Sequence, residues 1–226
     1  MKKVTKAIAA LMLAVTAMLA VGCTKSDEPG NGGGGTYNGH EYVDLGLPSG
    51  TLWATCNVGA ETPEGYGDYF AWGETQPKDY YDWDTYQYGD GNTFTKYTGS
   101  DGLTTLLPED DAATANWGSG WRMPTKAEWQ ELSFHCTSVW TTQNGVNGRR
   151  FTGPNGNTLF LPAAGYRWDD ELDLAGSYGS YWSSTLDTDY PYSACHFGFS
   201  SDSYRVDYDD RDYGFTVRPV RSARQN

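Results

Sequence analysis

The chain predicts a single α+β domain of short strands, one or two helices and much loop. Three stretches predict it. Thr125-Lys126-Ala127-Glu128-Trp129 opens on a threonine with a glutamate three residues on, the reciprocal capping box of a helix N-terminus. Arg150-Phe151-Thr152 and Thr158-Leu159-Phe160-Leu161 flank Pro154-Asn155-Gly156, which is hairpin composition. Cys195, Phe197 and Phe199 alternate with Ala194, His196, Gly198 and Ser200, the period of a strand.

In chain order, Met1-Lys2-Lys3 and Lys6 precede an apolar run from Ala7 to Val21, then Gly22-Cys23. A basic start, a short apolar run and small residues before a cut describe a secretory signal over 1–22. The run is too short to cross a bilayer. Pro29 to Gly35 is glycine-rich, so 23–36 reads as a flexible tether and 37–224 as the domain. Removing 1–22 takes away three lysines and no acid, moving the formal net charge from −13 to −16. So acidic a protein lacks the basic patch that nucleic acid or anionic headgroups require.

Tyr42, Val43 and Leu45, then Leu52, Trp53 and Ala54, read as two strands joined by the turn chemistry of Pro48-Ser49-Gly50. Glu61 to Glu74 reads as a compact loop that packs Tyr69, Phe70 and Trp72 inward. Asp79–Gly99 reads as a long surface insertion. Its Trp83 and neighbouring tyrosines either line a sugar or peptide groove or pack beneath the loop. Asp110 to Ala115 suggests a short helix. In the capped helix, Ala127, Trp129, Leu132 and Cys136 form an inward stripe. Asn144-Gly145 and Asn147-Gly148 mark turns, and Asp169–Tyr178 a polar loop. Tyr181-Trp182-Ser183-Ser184 reads as a central strand. Phe197 and Phe199 point to the core and their neighbours to solvent. Phe215-Thr216-Val217 reads as the closing strand.

The interior Asp187–Tyr213 holds seven Asp, five Tyr and four Ser but no Lys, Glu, Gln, Met or Trp. An ordinary solvated surface draws on Lys, Glu and Gln. Randomising both adenines of asparagine codons yields Asp, Tyr, His, Ser, Cys, Gly and Ala and cannot yield the missing types. A conventionally evolved Tyr/Asp/Ser loop surface is the other reading.

The frame around that interior, Tyr181–Ser184 and Gly214–Val220, resembles the variable proteins of diversity-generating retroelements, particularly those on bacterial lipoproteins. Arg122, Pro124, Thr125, Glu128 and Trp129 resemble a block of formylglycine-generating-enzyme-like and related paralogous bacterial domains. Both resemblances imply a C-type-lectin-like fold, in which Phe215–Val217 would pair with the first strand near Tyr42–Leu45. The first also implies a variable segment about 181–221 that displays mutagenised side chains to a ligand. Ala20-Val21-Gly22-Cys23 looks like a lipobox, implying lipidation of Cys23. Thr24-Lys25-Ser26-Asp27-Glu28 resembles the surface-export signal of Bacteroidetes lipoproteins, implying an outer-membrane, cell-surface location with the membrane met only through the lipid.

The ligand-binding candidates are Asp187, Asp189, Tyr190, Tyr192, Ala194, His196, Gly198, Ser200, Asp202, Tyr204, Asp207, Tyr208, Asp209, Asp210, Asp212 and Tyr213. Tyr offers contact area with few torsions to freeze, while Ser, Gly and Asp adapt their hydrogen bonds. The acids favour a protein or glycan ligand that is cationic or hydroxyl-rich rather than acidic. The alternative is a conventional, non-diversified surface lipoprotein binding carbohydrate or protein, with Trp83 and its tyrosine neighbours as the groove.

No catalytic residue, metal or cofactor is expected. His40, His135 and His196 lack ligand spacing, and Asp207 to Asp212 lacks the glycine and glutamate of a calcium loop. Of Cys56, Cys136 and Cys195, a Cys56–Cys136 bridge and two buried thiols both fit.

Overall fold

A computed structural model describes residues 33–223. The expected signal peptide, Cys23 and most of the tether lie outside the described residues. Strands β1 (Gly34–Tyr37), β2 (His40–Asp44) and β3 (Thr51–Ala54) form a meander, and β4 (Tyr69–Phe70) follows the compact loop. Helix α1 (Ala112–Trp117) comes after a single 3-10 turn at Pro108–Asp110, and α2 (Lys126–His135) is the capped helix. Next come β5 (Thr137–Gln143), β6 (Val146–Thr152) and β7 (Thr158–Pro162), and then the small hairpin β8 (Tyr166–Trp168) and β9 (Glu171–Asp173). The chain ends in β10 (Gly179–Leu186), β11 (Ser193–Phe199), β12 (Tyr204–Asp210), β13 (Phe215–Thr216) and β14 (Val220–Ser222).

Fourteen strands against two α-helices, among the described residues, make the domain mainly β, which corrects the α+β expectation. Strands also form where no sequence signal marks them, and segments expected as turn, tether or loop pair as strands. Thr137–Gln143 is rich in β-branched and aromatic residues and forms a ladder with β6. Asn147-Gly148, expected as a turn, lies inside that ladder. Gly34-Gly35, expected as tether, pairs with Val43 and Tyr42. Part of the polar Asp169–Tyr178 loop is β9.

The strands make sheets of order β1-β2-β3-β14, β12-β11-β10-β13-β4, β5-β6-β7 and β8-β9. Residues Tyr181 and Trp182, adjacent on β10, point to opposite faces and enter different hydrophobic clusters. Trp182 stacks on Phe215 with ring centroids 4.1 Å apart. On the other face Trp129 of α2 stacks on Phe197 at 4.8 Å. Because both faces of the central strands are covered, all seven residues of β11 are buried. The alternation is real, yet Ala194, His196 and Gly198 do not reach solvent as expected.

Phe215-Thr216 does not pair with the first strands. It lies parallel to β10 and antiparallel to β4, and it is β14 that pairs with β3. Arg218 explains the path. Its fully buried guanidinium donates to Asn57 Oδ1 at 2.7 Å and to the carbonyls of Ala54 and Thr55 at 3.1 and 2.7 Å, tying the C-terminal chain to the meander.

The α2 N-terminus is capped as expected: Thr125 Oγ1 accepts from Glu128 N, and Glu128 Oε2 accepts from Thr125 N. The inward stripe is corrected at one position. Ala127 is exposed, and buried Glu128 takes the space facing β3. Tyr81, Tyr86, Tyr88 and Tyr97 of the Asp79–Gly99 insertion are buried, so the insertion is core rather than groove. Trp83 packs edge-on against Tyr86 and Phe94. No described helix is long and apolar enough to cross a membrane.

Candidate functional site

The frame residues of the C-terminal segment are buried and the interior between them carries the exposed side chains. Tyr181–Ser184 and Gly214–Val220 are buried throughout. The glycine of that frame is required by contact, because a Cβ on Gly214 would lie 2.7 Å from the Tyr81 ring.

Three regions of the interior face outward. The first is the loop between β10 and β11, folded by Asp187, whose Oδ1 accepts from the main-chain nitrogens of Asp189 and Tyr190 at 3.0 and 3.3 Å. It lifts Tyr190 to 59% exposure and Tyr192 to 42%, with rings 5.9 Å apart. The second is the Ser200–Ser203 turn, with Asp202 exposed and Ser200 half-buried. The third is β12, where strand register divides the side chains between two faces.

On the α2 face of β12, Tyr204 opposes Phe199 and Tyr208 opposes Cys195. Tyr208 receives a hydrogen bond from Lys126 Nζ at 2.7 Å, and Tyr204 lies 4.9 Å below the Arg149 guanidinium. Gln130, Ser133, Phe134, Tyr204, Arg205 and Val206 line a hollow of about 350 Å³ between strand and helix. On the other face, Asp207 opposes His196 and Asp209 opposes Ala194. The candidates therefore do not form one continuous display face. Ala194, His196, Gly198 and Asp212 are corrected from displayed to buried, and Asp187, Tyr204, Asp207, Asp209, Asp210 and Tyr213 to half-buried.

Burial sets the protonation of this acidic stretch. It pushes Asp209 up to about 6, with help from the charges of Asp210 and Asp207. It pushes Asp212 up to about 7, with Asp210 adding repulsion, and leaves Asp212 Oδ1 without a hydrogen-bond partner. His196 is pushed down to about 4, mainly by burial. A carboxyl raised in the folded state holds a proton that the unfolded chain has lost, so stability falls as pH rises between the unfolded value and the folded one. Asp212→Asn is expected to be near neutral at pH 4 and to stabilise by about 1–3 kcal/mol at pH 8. Urea unfolding at the two pH values checks this, and an equal effect at both would refute it.

Sequence reasoning missed Arg211, which lies inside the interior yet is fully buried. It also missed Tyr166, Trp168 and Tyr178, which lie outside the odd composition but flank the Asp209 face. Only the aromatic content of that stretch hinted at them.

The thiols of Cys56, Cys136 and Cys195 are free, and Cys56 and Cys136 pack against different hydrophobic clusters, which removes the bridge. Burial pushes Cys136 up to about 11 and Cys195 up to about 12. Among the described residues, no three His, Cys, Asp or Glu side chains are grouped to hold a metal.

Over residues 135–220 the chain matches a family described as a domain of unknown function, DUF8237. That match runs from the end of α2 to the start of β14 and so includes all of residues 187–213, but it covers less than half of the chain. No curated protein and no solved structure matches the chain.

Proposed function

We propose that this protein is a lipid-anchored, surface-displayed protein that binds a protein or glycan ligand through residues 187–213, a segment diversified by a retroelement. The observation that carries the reading is the contrast between the buried frame, Tyr181–Ser184 with Gly214–Val220, and the exposed Tyr190, Tyr192, Asp202 and Tyr208. A fixed core with a replaceable Tyr/Asp surface suits a binding face whose side chains change while its backbone does not. Anchoring rests on the Ala20–Cys23 motif alone.

Sequencing the gene and its flanks tests diversification. The expected result is an imperfect repeat of the 181–221 codons, differing where the repeat has adenine, beside a reverse-transcriptase frame. A gene without such a repeat returns the segment to conventional evolution. That second reading gains from the burial of Ala194, His196 and Gly198, since packed positions limit free variation.

The surface role also predicts a stability pattern. Replacing both Tyr190 and Tyr192 by Ala is expected to shift the melting temperature by less than about 2 °C. Tyr204→Ala, which removes a ring packed against Phe151 and Phe197, is expected to cost about 2 kcal/mol. A large loss in the double variant would make those tyrosines structural and end the proposal for that loop.

A further inference from the structure

We propose that the β12 face carrying Asp207 and Asp209 seats a primary ammonium on an apolar stem, such as a lysine side chain, against Tyr166, Tyr178 and Tyr213. The proposal rests on the ligand-binding reading of the C-terminal segment and names its ligand chemistry.

The seat is assembled from three strands, with Tyr178 and Tyr213 added from adjoining loops. Asp207 and Asp209 are two residues apart on β12 and so share one face, about 7 Å apart along the strand. Directly across on β11 lie His196 and Ala194. Gly198, opposite Arg205, continues the same row, and a Cβ there would lie 2.3 Å from the Tyr178 hydroxyl and 3.2 Å from His196 Cε1. The missing side chain thus lets Tyr178 lie over the strand. Tyr166 of β8 meets the Tyr213 ring at 5.8 Å, and the half-exposed Trp168 meets it at 6.4 Å.

Two unmet needs point to a ligand of positive charge. Asp207 already has a cation, Arg205 Nε at 2.7 Å. Asp209 has none, and its carboxylate accepts only from the Asp210 main-chain nitrogen at 3.0 Å. An unpaired, half-buried carboxylate is costly. On the same row, His196 is 4% exposed; its Nδ1 is sealed without a partner, which leaves Nε2 as the ring nitrogen open to a ligand. A neutral imidazole and a carboxylate together can accept two N–H bonds of an ammonium. The tyrosine and tryptophan rings beside them supply a cation–π wall and an apolar surface for the stem.

Nitrogen–proton NMR of the folded protein, titrated with Nα-acetyl-lysine methylamide and with Nα-acetyl-norleucine methylamide, tests the seat. The lysine derivative is expected to give saturable shifts at the amides of Asp207, Asp209 and Tyr213. The norleucine derivative should bind at least about tenfold more weakly, and Asp209→Asn should weaken lysine binding about tenfold. Tyr178→Phe, which keeps the ring, should weaken it about threefold and serves if Asp209→Asn does not fold. Equal binding of the two probes, or an unaffected Asp209→Asn, overturns the seat. Shifts confined to amides 188–192 overturn it too, while leaving the segment a binding surface. A lysine probe that shifts nothing overturns the seat and leaves the segment to the gene-sequencing test.

Discussion

Arg211→Met is expected to destabilise the protein by about 3–5 kcal/mol, lowering the melting temperature by about 10 °C. Arg211 is fully buried among the rings of Trp72, Tyr86, Phe94 and Tyr97, with its guanidinium carbon 4.6–6.0 Å from their centroids. Its Nε donates to the Tyr86 hydroxyl at 2.8 Å. Its Nη atoms donate to the carbonyls of Pro191, Tyr97 and Lys96 at 2.7, 3.1 and 3.2 Å. Methionine fills much of the space but leaves four acceptors without a donor, and buried acceptors left unsatisfied are each expensive. Arg211→Lys should recover little, because an ammonium cannot span the fork that reaches both nitrogens' partners. Pro191 belongs to the Tyr190–Tyr192 loop, and Lys96 and Tyr97 belong to the insertion. Hydrogen exchange should therefore quicken in both segments together. A loss under about 1 kcal/mol, or quickened exchange in only one segment, would show that Arg211 is not the tie.

Glu128→Ala is the second large effect, expected at about 3–5 kcal/mol. Glu128 Oε1 meets Arg122 Nη2 at 2.6 Å and the Thr51 hydroxyl at 2.9 Å, and Oε2 meets Arg122 Nη1 at 2.7 Å and Thr125 N at 2.8 Å. One carboxylate thus closes the helix cap, pairs bidentately with Arg122 and ties α2 to β3. Burial opposes its charge, but the Arg122 hydrogen bonds and charge outweigh burial and hold the carboxyl below its ordinary value. A carboxyl lowered in the folded state contributes stability above its unfolded value and loses it as pH falls through the folded one. The difference between wild type and Glu128→Gln should accordingly shrink in acid. Denaturant midpoints across that range measure it, and a difference independent of pH would deny the charge its role.

Local signals were legible where one residue's chemistry decides the outcome. The Thr125–Glu128 box starts α2, the Pro154-Asn155-Gly156 turn joins β6 to β7, and Tyr181–Ser184 is central in its sheet. What alternation along β11 cannot reveal is whether a second layer covers the outward face. Ala194 shares a cluster with Trp182 and Phe215 of its own sheet and with Leu106, Ala112 and Met123 from outside that sheet, residues that a periodicity count never compares. Arg211 was hidden for the same reason. Its partners lie at Tyr86, Lys96, Tyr97 and Pro191, most of them more than a hundred residues away. The composition of 187–213 marked a stretch that carries the exposed Tyr190, Tyr192, Asp202 and Tyr208, but it could not divide that stretch into a tyrosine loop, an α2-facing row and an Asp209-facing row.

Strand β12 is the outermost strand of its sheet, so one side of its backbone offers peptide groups to any extended chain that drifts close. Arg205, Asp207, Asp209 and Asp210 place charge along that margin, and charge is how natural proteins keep such margins from zipping together. At high concentration, neighbouring copies repel one another through these acids. If the segment is diversified as proposed, any library of sequences written into this strand is filtered for solubility before it is filtered for affinity. Members of such a library that traded the aspartates for tyrosine and serine would risk self-association, whereas acids kept at 207, 209 and 210 would hold the margin apart.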